Sequence, residues 1–262
     1  MNTTFLDISV NQFQIFLLVF TRTIGIVAVA PVFGHRIVLS QAKAGLALAL
    51  AIVLYPAIPI TLSLTVDLIP YAIAVVKELI MGTMIGFVAK LIFMAVQFAG
   101  EVIGIDVGFG VVNIIDPLSS EQISIIGTFK NLIAVVVFLL IDGHHVVLQT
   151  LAVSFEMVPL GGMQFTDLLA QGLIQMTSRV FVMAAKLAAP VIAALFLTSL
   201  ALGITARTVP QMNVFVVGFP LKIGIGMGVI MLSLPFFNTV LMKFFAGMGS
   251  DFSILLQQMY KP

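Results

Sequence analysis

Apolar residues run along this chain in long stretches separated by short polar breaks, and each stretch predicts a helix of roughly membrane-spanning length. The first extends from Phe13 to Phe33, with Pro31 and Gly34 marking its end. The second, Ala44 to Ile60, closes on the proline-bearing segment Tyr55-Pro56-Ala57-Ile58-Pro59. A third runs from Tyr71 to about Ala99 and carries Lys77, Glu78 and Lys90 within it. The fourth is predicted to start near Ser119 or Ser120, where Ser119 and Gln122 fit a capping box. Asp142-Gly143-His144-His145 interrupts it before Val146 to Val158, which predicts two shorter helices in a hairpin. The fifth stretch covers Leu168 to Ile204, with Arg179, Lys186 and Pro190 inside. The sixth covers Val214 to Val240, and a short amphipathic tail follows at Asp251 to Tyr260. No polar linker or low-complexity segment divides the chain. The expectation is a single all-α domain over residues 1–262, an integral membrane protein of about six hydrophobic helical segments.

Gly100 to Gln122 stands apart, glycine-rich and acidic yet mostly apolar. Within it, Gly108-Phe109-Gly110 gives the backbone conformational freedom on both sides of a bulky ring. Irregular backbone at membrane depth is tolerated inside protein or beside a cavity. The aliphatic residues at 111, 112, 114 and 115 would make a hydrophobic stopper that closes a pore by excluding water. The bland alternative is a flexible connection, though an exposed loop would be more polar. Glycines also recur four apart, at Gly82 and Gly86, at Gly100, Gly104 and Gly108, and at Gly224 and Gly228, a spacing that lets a neighbouring backbone approach one helix face.

Composition supports a membrane setting. Of 262 residues, 61% are hydrophobic and 9% charged, against roughly 25% charged in soluble domains. A soluble enzyme is therefore excluded. The net charge of +1, with Lys and Arg scattered, argues against nucleic-acid binding. The chain has no cysteine and no tryptophan. Its first basic residue is Arg22, inside the first apolar stretch, so the start does not read as a cleavable signal.

The basic residues frustrate a simple topology, because many lie inside apolar stretches instead of in loops. Arg22, Lys77, Lys90, Arg179 and Lys186 are such residues. A cation at the centre of a lipid-facing helix costs about 2.5–3.5 kcal/mol, so much of the chain is expected to pack against other subunits around a polar interior. Snorkelling or local pairing, open to Lys77 and Glu78, is the alternative. Of the carboxylates Glu101, Asp106, Asp116 and Glu121, Glu101 is the best candidate for an intramembrane partner to a base.

Enzymatic chemistry finds little support. No phosphate-binding loop, zinc-protease motif or nucleophile elbow occurs. His144 and His145, being adjacent, are expected to point to different sides of a helix, and His35 is remote. No metal, cofactor or catalytic residue is expected.

Several segments together are similar to a known family: Arg22-Thr23-Ile24-Gly25 with Ala30-Pro31-Val32-Phe33-Gly34; Lys77-Glu78 with Gly82 and Gly86; Gly100-Glu101-Val102-Ile103-Gly104 with Gly108-Phe109-Gly110; Asp142-Gly143-His144-His145; and Arg207-Thr208-Val209-Pro210-Gln211-Met212-Asn213-Val214-Phe215 continuing into Gly218-Phe219-Pro220-Leu221-Lys222. On these the chain resembles the FliR/SctT family of type III secretion export-gate proteins, its flagellar branch more than its virulence branch. Pro210, Gln211, Asn213, Phe215, Gly218 and Pro220 carry the most specific part of the likeness.

That resemblance implies a non-enzymatic subunit built of helical hairpins, which joins FliP and FliQ in a helical ring standing partly above the bacterial inner membrane. The ring is the export gate of the flagellar basal body, and the switch protein FlhB wraps its cytoplasmic side. Unfolded rod, hook and filament proteins pass through. It further implies a plug at Ile105, Asp106, Val107, Gly108, Phe109, Gly110, Val111, Val112, Asn113, Ile114, Ile115, Asp116 and Pro117. Arg22, Lys77, Glu78, Lys90, Glu101, Arg179, Lys186, Arg207 and Lys222 are then expected as interface or intramembrane polar groups. A virulence-type gate subunit is the near alternative. A self-contained carrier of small solutes or ions, using Glu101, Lys90 and Arg179, is the distant one; it predicts an internal inverted repeat, and no convincing repeat is present.

Overall fold

Backbone placed among apolar neighbours must satisfy its own hydrogen bonds, and the α-helix does so within one segment. The computed structural model, which describes residues 5–58, 68–109, 124–211 and 213–260, is helical accordingly, with no strand among the described residues. The elements are α1 (Phe5–Val29), α2 (Ser40–Leu54) with a 3-10 turn at Tyr55–Ala57, α3 (Leu68–Val107), α4 (Ile125–Leu140), α5 (Gly143–Met157), α6 (Asp167–Thr208) and α7 (Val214–Met259). Among the described residues, five helices are long and apolar enough to cross a membrane, or six spans if α4 and α5 act as one. The protein is a membrane-embedded all-α chain.

Local chemistry explains where the helices stop. Pro31 follows the end of α1, and Val32 takes a left-handed φ of 70°. Gly108, with φ of 109°, terminates α3. Its N–H donates to the Ile105 carbonyl at 3.1 Å, and the Phe109 N–H donates to Gly104 at 3.0 Å, the paired bonds of a Schellman cap. The Ser124 hydroxyl caps α4 by accepting the Gly127 N–H at 3.0 Å. The expected capping box at Ser119 and Gln122 lies outside the described residues. Asp142, left-handed at φ 56°, separates α4 from α5. Thr166 caps α6 through the Leu169 N–H at 3.1 Å.

Two expected boundaries are corrected. The third apolar stretch does not end near Ala99: α3 continues as helix through Gly100 and Gly104 to Val107. The tail at Asp251–Tyr260 is not separate, because α7 runs unbroken to Met259 despite Pro220 and Pro235. Hydroxyls inside the helices bond back to their own backbone, as Thr23 to Val19 at 2.8 Å and Thr198 to Ala194 at 2.8 Å. Such bonds let Thr and Ser sit on apolar helices without an orphaned donor.

The chain forms two compact units. The first comprises Met1–Leu91, Ile141–Thr177 and Gly247–Pro262. Its core includes Ile15, Leu18, Met81, Ile85, Leu151 and Leu255, all essentially inaccessible. Here Gly25 of α1 meets Gly82 of α3, and Gly86 of α3 lies against Ile26 and Val29 of α1. A side chain at Gly82 would fall on the Arg22 carbonyl oxygen, and one at Gly86 would come within 3.0 Å of the Ile26 carbonyl. The second unit comprises Ile92–Leu140 and Ser178–Ala246. Phe93, Phe138 and Phe245 form a mutual ring cluster with centroids 5.3–5.5 Å apart. Gly100 lies directly against the Gly127 backbone, so α3 and the first turn of α4 touch main chain to main chain. Gly224 and Gly228 differ: a side chain at either would meet nothing within 4 Å.

Candidate functional site

In the first unit the polar centre is built around Arg22. The apolar register of α1 turns this residue inward, and both Arg22 and Glu78 are 0% exposed. The guanidinium grips the Glu78 carboxylate in two places, Nε to Oε2 and a terminal nitrogen to Oε1 at 3.0 Å. Its other terminal nitrogen donates to the Ser154 carbonyl at 2.8 Å and the Val158 carbonyl at 3.2 Å. The Phe155 ring lies 4.3 Å from the guanidinium carbon. Glu78 also accepts the Gly161 N–H at 2.7 Å, while Lys77, half-buried, donates to the Gly161 carbonyl at 3.4 Å. A buried ion pair repays its desolvation when the remaining hydrogen-bond capacity is filled, as it is here. The cation also sits on the last carbonyls of α5, the negative end of that helix. Arg22 thereby ties α1, α3, α5 and the following loop together.

Two expectations change. Arg22 is enclosed by its own chain and does not face a companion subunit. The carboxylate that meets it is Glu78. Glu101, the expected intramembrane partner, is half-buried and accepts from the Gln97 amide at 3.2 Å.

The second unit holds the root of the expected plug. Ile105, Asp106 and Val107 belong to the last turn of α3 and are not loop, because the helix is capped only at Gly108. Gly108 and Phe109 form the turn; Gly110, Val111, Val112, Asn113, Ile114, Ile115, Asp116 and Pro117 lie outside the described residues. At the root, a cavity of about 350 Å³ is lined by Val102, Ile105, Asp106, Gly108, Phe219 and Lys222. The Lys222 ammonium stands 4.0 Å from Asp106 Oδ1.

The remaining residues are dispersed. Lys90, Arg179, Lys186 and Arg207 are exposed on their helices. Pro210, Gln211 and Asn213 are exposed in the turn before α7, where the Asn213 side chain caps the helix through the Val216 N–H at 3.3 Å. Gly218 is buried, Pro220 is exposed inside α7, and the Phe215 side chain lies outside the described residues.

Lys130 is a buried group that the sequence reading missed. It is 1% exposed, with its ammonium 3.5 Å from the Leu187 carbonyl and 4.9 Å from the Phe237 ring centre. The available signal was register: Ile126, Gly127, Lys130, Ala134, Val137 and Phe138 share the buried face of α4, and Lys130 sits in its middle.

The histidine expectation also fails. His144 and His145 stack with centroids 4.2 Å apart, and His145 Nδ1 lies 3.3 Å from Asp142 Oδ1. In the first turn of α5, beside the left-handed Asp142, adjacent side chains fold toward one another. Asp142, His144 and His145 bring their ligand atoms within 4.8 Å of each other, a carboxylate and two imidazoles of the kind that suits a borderline divalent cation.

Comparison with known proteins bears on both units. The family model "Bacterial export proteins, family 1" matches residues 13–248. Flagellar biosynthetic protein FliR of Bacillus subtilis (strain 168) is 38% identical over 223 residues, 82% of this chain and 84% of that protein. FliR of Escherichia coli (strain K12) is 28% identical over 214 residues, 82% of each chain. Yop proteins translocation protein T of Yersinia pestis is 28% identical over 184 residues, 68% of this chain and 69% of the other.

Proposed function

The chain belongs to family 1 of the bacterial export proteins, and from that premise we propose that it is a non-enzymatic core subunit of the flagellar type III export gate. In this reading it forms a channel with FliP and FliQ in the inner membrane at the flagellar basal body. FlhB lies against the cytoplasmic side, and unfolded rod, hook and filament proteins are exported through the channel. The flagellar branch is favoured over the virulence branch because the two flagellar relatives match 82% of this chain, one of them at 38% identity, whereas the Yersinia protein matches 68% of it at 28% identity. The whole of 1–262 serves one export-gate module, as the match at 13–248 runs through both units.

The observation that carries this reading is helix length combined with exposure. Helices α3, α6 and α7 have 40, 42 and 46 residues. At 1.5 Å per residue their contours are about 60–69 Å, twice the roughly 30 Å of hydrocarbon in a bilayer. Yet large apolar side chains are exposed from one end to the other: Leu168, Phe181, Phe196 and Ile204 on α6, and Val216, Met231, Phe236 and Ile254 on α7. Lipid can cover only part of such helices. Companion protein supplies the remaining cover, and it accommodates the exposed cations Lys90, Lys186 and Arg207 as well.

The segment 105–117 is assigned as the plug, rooted on the capped end of α3. Co-purification tests the assembly: the chain should elute in a fixed ratio with two other small hydrophobic proteins. A monodisperse chain that is active alone would overturn the reading. Replacing Phe109 with Ala should make the assembled gate leak ions in planar bilayers; unchanged conductance would remove the plug assignment.

A further inference from the structure

We propose that Phe219 and Lys222 of α7 are positioning residues for the root of the plug, holding the last turn of α3 and its cap at Gly108 in place. The proposal rests on the plug reading above. Three observations meet at one place. First, α3 ends at Gly108 with φ of 109°, a backbone conformation that side chains rarely tolerate. The Phe219 ring fills the space that a side chain there would need: a Cβ on Gly108 would come within 2.7 Å of Cδ1 and 2.9 Å of Cε1. The bare backbone thus serves both the left-handed cap and the ring laid against it.

Second, Asp106 is a carboxylate in the last turn of a helix, where unpaired carbonyls already concentrate negative charge. Alone it would loosen that turn. The Lys222 ammonium, 4.0 Å from Asp106 Oδ1, offsets both the carboxylate and the helix end. Lys222 follows Phe219 by three residues in α7, so ring and ammonium share one helix face. Third, the cavity of about 350 Å³ beside them leaves these side chains room to shift. The ion pair is partly exposed, with 24% of the Lys222 and 36% of the Asp106 side chain accessible. A pair of that kind is weak. A ring contact and a weak ion pair hold the root in place, yet can release it when a substrate enters.

The test uses the full chain in its co-purified complex, with ion conductance in planar bilayers and complex yield as separate readouts. Lys222→Met and Asp106→Asn should each raise the leak roughly two- to fivefold, the population shift that a partly exposed ion pair can supply. The exchanged pair Asp106→Lys with Lys222→Asp should return it toward the parent value, and Lys222→Arg should leave it unchanged. Phe219→Ala should raise the leak without rescue by the exchange. A leak in Phe109→Ala with none in the Lys222, Asp106 or Phe219 variants would overturn this proposal and leave the plug reading standing. No leak in any variant would overturn both. A leak that the exchanged pair fails to correct would show that the charges act separately and overturn the pairing. Should Lys222→Met fail to enter the complex, Lys222→Gln is read instead. Failure of both would assign Lys222 to assembly and overturn the positioning role.

Discussion

Arg22 and Glu78 show how a charge is made tolerable inside an apolar unit. Each is 0% exposed, and each has partners beyond the other, through Ser154, Val158 and Gly161. Removing one member strands the other, which costs about 3–5 kcal/mol in buried pairs. Glu78→Ala should therefore lower the thermal midpoint of the detergent-solubilised chain sharply, while Glu78→Ala with Arg22→Met should recover part of the loss. A double variant as unstable as the single one would refute the pairing. Lys130 presents the opposite case. It is as deeply buried, but its partners are a carbonyl and a ring, with no carboxylate among the described residues. Lys130→Met, of similar volume, should leave the midpoint unchanged or raise it by about 2–4 °C; a large drop would show that the ammonium meets an anion. Residue types and apolar stretches made Arg22 visible as a buried charge from sequence alone. Its partner was not visible, because Glu78 and Glu101 lie on the same helix and the choice between them depends on how α1 packs against α3.

Glycine has two distinct uses at the level of the helices. At Gly82 the absent side chain makes room for the Arg22 carbonyl of α1, and at Gly100 for the Gly127 backbone of α4. Gly82→Ala forces the two backbones apart, an overpacking cost of about 1–3 kcal/mol. Gly228→Ala, with nothing within 4 Å, should be neutral or stabilise α7 by up to about 1 kcal/mol through helix propensity. Circular dichroism melts of the two variants in one detergent check the contrast, and equal effects would contradict the packing described here. The four-residue spacing was legible in the sequence for all three glycine sets, but spacing alone could not separate those that meet a backbone from those that face open space. The same limit explains the misplaced end of α3. Glycine and carboxylate at 100–106 suggest a loop, whereas contact with Gly127 keeps Gly100 helical and the stop falls at Gly108. Proline misled less, since Pro190, Pro220 and Pro235 all sit inside helices, as their unbroken apolar context predicted.

For the molecule as a whole, the question is what covers its apolar surface. Helix α6 exposes Leu168 at 58%, Ile174 at 70%, Phe181 at 62%, Phe196 at 58% and Ile204 at 69%. These positions span more than 50 Å of helix contour at about 1.5 Å per residue. A bilayer can face only about 20 consecutive helical residues. If lipid alone covered α6, the remaining half would leave large apolar side chains in water, which soluble surfaces rarely do over such an area. The chain has no cysteine, so a single introduced cysteine carries a spin label at a unique site in this subunit. Labels placed singly at Leu168, Ile174, Phe181, Phe196 and Ile204 should report the surroundings of each position in the reconstituted complex. Oxygen accessibility typical of lipid should be confined to one band of no more than about 20 residues. The labels beyond that band should be shielded from both oxygen and a water-soluble nickel chelate, because companion subunits lie against them. The chain stripped of its companions should lose that shielding outside the band and keep the lipid signal within it. Lipid-type accessibility along the whole of α6 in the complex would mean that the bilayer deforms to cover the helix, and the argument from length to assembly would fall.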